Sequence, residues 1–350
     1  MNKIRGIELL RGFAALSVVL HHVLLEVQHK GLDKSILLNF HNMINFGTIG
    51  VDIFFVISGF IMIYVHGSDF KKNNASINFL LKRIIRVVPL YWIMTSAAIA
   101  ALIIIPSLSS SGKTFELSHA LASYMFIPFE NSVGSVMPVL NPGWTLNYEM
   151  YFYLVFSVLL IFDKKLFLPL LTGFFISSIL IVNSFDFTVE YIKMMGNPIL
   201  LEFLFGVFIG LYYKSFPKYM YFLIYLGLAL ILWNVFVSFD IEYRVIFFGV
   251  PASILVLGLL IKEDAAGFHI PLKLDLLGKI SYSLYLSHVF SYKIAIILYL
   301  KLFGDSQPDL LIIFTMLFCV VVSYFTYRWV ERPITKLLRV WFMKFEKKGC

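Results

Sequence analysis

Apolar runs of about bilayer-crossing length recur along the chain, separated by short polar or basic stretches. A helix needs roughly 20 apolar residues to cross a ~30 Å hydrocarbon core. That criterion predicts about ten spans, at approximately 7–27, 46–65, 84–106, 146–162, 165–183, 199–213, 219–237, 245–262, 277–301 and 309–331. The sixth and seventh are short, with soft boundaries. The fold class is therefore all-α, a polytopic transmembrane helical bundle. The one long outer loop, about 107–143, holds the Ser-rich Ser107–Gly112 and an apolar part, Leu121–Phe129, that reads as re-entrant. Beyond Pro333, Trp341, Phe342 and Phe345 interleave with Lys336, Arg339, Lys344 and Lys347. This pattern predicts a short amphipathic helix on the inner surface, with a plain basic tail as the alternative. The division is a membrane domain, 1–332, and a basic tail, 333–350.

Composition supports the membrane class, because 59% of the 350 residues are hydrophobic and only 14% are charged. The net charge of +8 points to basic inner loops and the lipid bilayer, with no nucleic acid as partner. One set of loops gathers Lys3, Arg5, Lys71, Lys72, Lys82, Arg83, Arg86, Lys164, Lys165, Lys214, Lys218, Lys262, Lys273, Lys279, Arg332, Lys336 and Arg339. The alternating set holds only Lys30, Lys34, Lys113, Lys193, Arg244 and Lys301. This asymmetry places both termini in the cytoplasm and favours an even number of spans. Arg11 interrupts the first apolar run and no small-x-small cleavage site precedes His21–His22, so the segment reads as a retained helix. The cysteines, Cys319 in an apolar run and Cys350 at the end, form no disulfide framework and no zinc-like spacing, and no metal is expected.

Ionisable groups inside a span are costly and mark function by default. Arg11 and His22 are eleven residues apart, so they share a face about 16 Å apart along the axis. Glu8 and Glu26 lie within about 40° of that stripe, and His21 is turned about 100° away into a packing or hydrogen-bonding role. His22 comes about 22 Å up from the inner surface, while Asp52 and Glu149 come roughly 6 to 9 Å down from the outer one. A histidine with carboxylates at similar depth suits general-base or nucleophilic chemistry, with His22, Asp52 and Glu149 as catalytic candidates. A buried structural ion-pair network is the alternative.

Arg83 and Arg86, three residues apart, project from one face of the third span. Alone they read as anchors. With Arg11, which is embedded too deeply to anchor, they suit a phosphate-bearing ligand, since guanidinium forks bind phosphate bidentately. In the ninth span Ser281, Tyr285 and His288 recur at helical spacing, with Tyr282 beside them. They read as the polar lining of a substrate cavity, against a structural hydrogen-bond network. Glu331 and Arg332 read as an ion pair.

The blocks LLRGFAALSVVLHH, GVDIFFVISGFI, KRIIRVVPLY, NPGWTLNYE and GKISYSLYLSH resemble membrane acyltransferase family 3 from Ile7 to Pro333. These are O-acetyltransferases of bacterial surface polysaccharides, and the exopolysaccharide acetyltransferases in particular are similar. The resemblance implies ten transmembrane helices in the bacterial inner membrane, cytoplasmic acetyl-CoA as donor, and a polysaccharide or lipid-linked oligosaccharide acceptor. The family's Arg-x10-His motif falls on Arg11 and His22, and its Arg-x-x-Arg motif on Arg83 and Arg86 at the coenzyme A side. Its NPGWTLNYE block carries over to Trp144 and Glu149. Many relatives append a soluble esterase-like domain. This sequence stops soon after the tenth span, which implies action alone or with a separate extracytoplasmic transferase partner.

The expected mechanism uses Arg11, Arg83 and Arg86 for the donor's phosphates and His22 for the chemistry. His22 is either the base for a sugar hydroxyl or a transient acetyl-imidazole carrier, oriented by Glu149 or Asp52. Trp144, Ser281, Tyr282, Tyr285 and His288 would contact substrate. The rival reading is a transporter or flippase, which would call for repeat architecture and broken helices in corresponding halves.

Overall fold

The computed structural model describes residues 4–32, 34–40, 43–105, 114–237, 240–267 and 272–348, with the side chains of 241, 272, 273 and 345–348 left out. Ser107–Gly112, Lys113, Lys3 and Cys350 lie outside them, as do the side chains of Lys273, Phe345 and Lys347. All regular structure among the described residues is helical. In hydrocarbon this is what backbone hydrogen bonding demands, because a helix satisfies its own N–H and C=O groups. Eight helical stretches are long and apolar enough to cross a membrane by length and composition. The remaining expected spans, 146–162 and 219–237, fall on shorter helical stretches, Gly143–Leu159 and Lys218–Trp233.

The chain forms two compact units. The first comprises Met1–Val65 and Leu201–Tyr327. It contains α1 (Arg5–His29), α2 (Met43–Phe46), nearly all of α3 (Ile49–His66), and the second comprises His66–Leu200 and Arg328–Cys350. The second unit carries α4 (Ala75–Ile104), α5 (Leu117–Tyr124), α6 (Gly143–Leu159), α7 (Lys164–Ser184) and α8 (Glu190–Met195). Returning to the first, α9 (Leu200–Tyr212), α10 (Leu223–Trp233), α11 (Val250–Ala266), α12 (Leu272–Phe303) and α13 (Pro308–Thr326) follow. The last helix, α14 (Arg332–Lys348), belongs to the second unit.

In the first unit α1 is central. Its first turn is capped from α11, where Glu263 accepts hydrogen bonds from the backbone N–H of Arg5 (2.6 Å) and Gly6 (2.8 Å). A carboxylate there satisfies two orphan donors and meets the positive end of the helix dipole. One face of α1 (Ile7, Leu10, Ala14) packs with Ile53, Val56 and Phe60 of α3 and with Val256 and Leu260 of α11. Another (Ala15, Val19, Val23, Val27) packs with Leu284 and Ile296 of α12 and Leu311 and Cys319 of α13. Small residues bring backbones together in membranes. Here Gly59 of α3 lies against the carbonyl of Phe203, and Gly206 of α9 against that of Val56.

The second unit has an aromatic core, with Phe79 of α4 stacked on Phe156 of α6 at 4.8 Å and Phe156 edge-on to Phe167 of α7 at 5.0 Å. The apolar part of the long loop forms α5, tied to α4 by Tyr91 Oη donating to Ser123 O and Trp92 Nε1 to Tyr124 O, both at 2.9 Å. The expected terminal amphipathic helix is present as α14, which packs against α4 and buries Phe342 while Leu337 and Trp341 stay exposed.

Candidate active site

Three histidines converge in the first unit. His21 Nδ1 lies 2.7 Å from Ile44 O, His22 Nδ1 2.8 Å from Val18 O, and His288 Nδ1 3.2 Å from Leu284 O. A carbonyl only accepts, so Nδ1 carries the hydrogen in each ring and Nε2 keeps its lone pair. The His22 ring stands 4.8 Å from that of His288 and 5.0 Å from that of His21, with Tyr292 at 6.5 Å. His288 is fully buried, and its Nε2 meets no hydrogen-bond partner among the described residues. Buried polar atoms are ordinarily satisfied, so a bare imidazole nitrogen here is an exception that calls for a reason.

The expected polar face of α12 lies beside this pair. Tyr285 is buried, 5.7 Å from Phe54 and 6.2 Å from His288. Ser281 turns its hydroxyl back onto Gly278 O at 2.8 Å. Tyr282 is half-buried on the neighbouring face.

The sequence pattern offers Asp52 as an orienting carboxylate for His22. In the structure both its oxygens are taken by Arg244, from Nε at 2.9 Å and from Nη2 at 2.7 Å, and Nη2 also donates to Thr48 O at 3.1 Å. Asp52 is completely buried. Glu202 of α9 is a third ionisable neighbour, also completely buried and set beside Asp52. Its carboxyl is accommodated by Gly249, where a Cβ would stand 2.8 Å from Oε1. Neither Arg244 nor Glu202 is among the site candidates named from the sequence. Glu202 is a charge within an apolar run and the depth rule flags it. Arg244 sits one residue before an apolar run and reads as an ordinary loop cation. A π-helical turn, Val245–Gly249, follows it directly, and such turns re-aim side chains.

Arg11 lies 3.5 Å from Glu8 one turn earlier, so the embedded cation has a carboxylate neighbour on its own helix. Nearby, Gly278 of α12 lies against the carbonyl of Glu8.

The remaining candidates belong to the second unit. Arg86 forms an ion pair with the buried Glu331, which sits in a second π-helical turn, Tyr327–Glu331. The pairing expected for Glu331 is therefore made with Arg86. Arg83 stands with its guanidinium 5.7 Å from the Phe79 ring centre and 6.0 Å from that of Tyr153. Its Nη2 is 3.4 Å from His66 Nε2, and His66 Nδ1 donates to Asp69 at 2.9 Å. Partial burial alone would push the Asp69 carboxyl up, but the hydrogen bonds from His66 and Lys72 outweigh it and hold the group below the usual range. Glu149 accepts from Tyr153 Oη within α6. Trp144 lies edge-on to Tyr148 at 5.9 Å, and Tyr148 Oη accepts from Asn197 at 3.1 Å. Among the described residues no group of three or more His, Cys, Asp or Glu side chains is arranged to hold a metal.

The model of the acyltransferase domain of acyltransferase family 3 matches residues 4–328. The exopolysaccharide production protein ExoZ of Rhizobium meliloti is 34% identical over 256 residues, which are 70% of this chain and 76% of ExoZ. The putative peptidoglycan O-acetyltransferase YrhL of Bacillus subtilis is 29% identical over 169 residues, 45% of this chain but only 24% of YrhL. An uncharacterized protein of Haemophilus influenzae is 28% identical over 159 residues, 42% of this chain and 65% of its own length. No solved structure matches the chain.

Proposed function

Because the chain belongs to acyltransferase family 3 and is a multi-pass membrane O-acyltransferase, we propose that it moves an acetyl group from cytoplasmic acetyl-CoA to a polysaccharide hydroxyl. The family match over nearly the whole chain displaces the transporter alternative. The acceptor class rests on ExoZ and YrhL, whose names connect them with exopolysaccharide and peptidoglycan. In this reading the protein resides in the bacterial inner membrane with both termini in the cytoplasm, and the acceptor is a surface polymer or its lipid-linked precursor. A separate extracytoplasmic partner completes delivery where the acceptor lies outside.

The observation that carries the chemistry is the tautomer of His22. Its Nδ1–H is committed to Val18 O, so the ring is held in one orientation with Nε2 available as a base. His22 takes the proton of the acceptor hydroxyl as its oxygen attacks the thioester carbonyl; the carbon–sulfur bond breaks and the thiolate recovers the proton. Asp52 contributes through its pair with Arg244 and Glu149 through Tyr153 of its own helix. Arg83 and Arg86, the latter anchored by Glu331, bind the donor's phosphates within the second unit, and Arg11 on α1 is a separate candidate for the same ligand class. Ser281, Tyr282 and Tyr285 of α12 line the acceptor's approach, and Trp144 of α6 is a separate substrate-contact candidate.

The test is transfer of radiolabel from acetyl-CoA to polysaccharide in membranes carrying wild-type protein or His22→Ala at matched levels. Loss of transfer with folded protein retained is the expected result. Continued O-acetylation by the variant would remove His22 from the chemistry, and labelling from succinyl-CoA in place of acetyl-CoA would overturn the donor.

A further inference from the structure

The His22–His288 pair presents an unusual balance of donors and acceptors. Each ring has spent its one N–H on a backbone carbonyl of its own helix, Val18 O and Leu284 O. Each therefore offers only a lone pair at Nε2, and two lone pairs cannot bond to each other. Yet the rings are 4.8 Å apart and tilted by 60°, and the Nε2 of the fully buried His288 has no partner among the described residues. One proton placed between the two nitrogens satisfies both. Asp52, the carboxylate the sequence offers to steady an imidazolium, has both oxygens held by Arg244.

We propose that His288 is the proton partner of His22: the proton released by the attacking hydroxyl is held between the two Nε2 atoms. This rests on the reading of His22 as the base. The step is balanced. The acceptor oxygen forms its bond to the acyl carbonyl carbon as its proton passes to His22 Nε2. His288 Nε2 accepts a hydrogen bond from that N–H and shares the positive charge. The carbon–sulfur bond breaks, and the proton leaves the pair for the thiolate, restoring two neutral rings. His288 is thus a positioning residue acting through His22. Its burial between α1 and α12 serves that end, because a second base open to water would be hydrated before the hydroxyl arrived. The other titratable groups around the pair are His21 and Glu26 on α1, Tyr285 and Tyr292 on α12, and Cys319 on α13.

The experiment compares wild type, His22→Ala, His288→Gln and His288→Asn in proteoliposomes, measuring kcat and donor KM across pH 5.5 to 9. Gln places an amide near the Nε2 position but cannot take up a proton. His288→Gln is expected to lower kcat about 100-fold with donor KM within about threefold of wild type. The pH profile of its residual kcat should change shape, because one imidazole then titrates where two were coupled. A packing role would instead lower the amount of folded enzyme and leave the profile of the remainder unchanged. Wild-type kcat and profile in either folded His288 variant, with His22→Ala inactive, would overturn the proton partner and leave the base reading standing. Activity in His22→Ala would overturn the base reading itself. Should both His288 variants misfold, 15N NMR of histidine-labelled wild-type protein decides: a proton taken up jointly by two Nε2 atoms supports the pair, and independent titration overturns it.

Discussion

Arg244 grips Asp52 at two points, Nε on one carboxylate oxygen and Nη2 on the other, across 192 residues of sequence. Asp52 is wholly removed from solvent and Arg244 nearly so. Removing one partner of such a pair leaves an uncompensated buried charge, which costs about 3–5 kcal/mol, far more than a surface ion pair is worth.

Arg244→Gln is therefore expected to lower the thermal unfolding temperature of the detergent-solubilised protein sharply. Asp52→Asn should do the same. The double variant should lose less than the two single losses combined, by at least about 1 kcal/mol. Strict additivity would show that the pair does not act as a unit.

A second prediction concerns where α3 and α9 cross. At Gly206 a methyl group would run into the carbonyl of Val56, and at Gly59 into that of Phe203. Backbone cannot yield as a flexible side chain does, so Gly206→Ala should destabilise by about 1–3 kcal/mol. Gly173 in α7 is the control, because nothing lies within 4 Å of its would-be Cβ. Gly173→Ala should be neutral or stabilising by up to about 1 kcal/mol, from helix propensity alone. Equal losses at the two positions, read by thermal unfolding, would remove the close approach as the cause.

These contrasts show which features the sequence exposes. Apolar run length yields the helices, because hydrocarbon leaves a spanning segment little other choice. His22 and Asp52 are legible because each is a polar group inside such a run. Their partners are less so. His288 is visible only as one of several polar residues on α12, and nothing in the spacing sets it against His22. Arg244 lies just outside an apolar run, where a cation normally faces water, and only tertiary packing turns it inward onto Asp52. Glu331 reads as half of a local pair with Arg332, but the π-helical turn that carries it presents it to Arg86. Run length and helical spacing locate buried charge, whereas the choice of partner depends on helix crossings and irregular turns that periodicity does not encode.

Arg83 and Arg86 share a motif but differ in surroundings, so their variants should fail differently. Arg86 neutralises Glu331, whose side chain is 1% exposed. Arg86→Ala should cost about 3 kcal/mol of stability, and adding Glu331→Gln should recover much of it without restoring donor affinity. Arg83 rests on the Phe79 and Tyr153 rings and pairs with no carboxylate in the described contacts. Arg83→Ala should leave the unfolding temperature within a few degrees of wild type and raise the KM for acetyl-CoA roughly tenfold. A large stability loss for Arg83→Ala with unchanged KM would contradict this assignment.

Asp69 controls Arg83 at one remove. By accepting the His66 Nδ1–H at 2.9 Å it fixes the tautomer that turns a lone pair toward Arg83 Nη2. Asp69→Asn keeps the size of the side chain but weakens that bond, and the amide can flip to offer N–H, turning His66 the other way. The variant should raise donor KM about three- to tenfold with little change in kcat. The pH dependence follows from the lowered pKa of the carboxyl. A depressed carboxyl contributes fully above the ordinary carboxylate range and is lost only as pH falls through its lowered value. Protonation of Asp69 should therefore leave wild-type donor KM untouched between about pH 5 and 8. The Asp69→Asn penalty should be present across that whole window in acetyl-CoA titrations. A penalty confined to the high-pH end would mean that Asp69 is already protonated at the low end, contrary to the hydrogen bonds that hold it ionised.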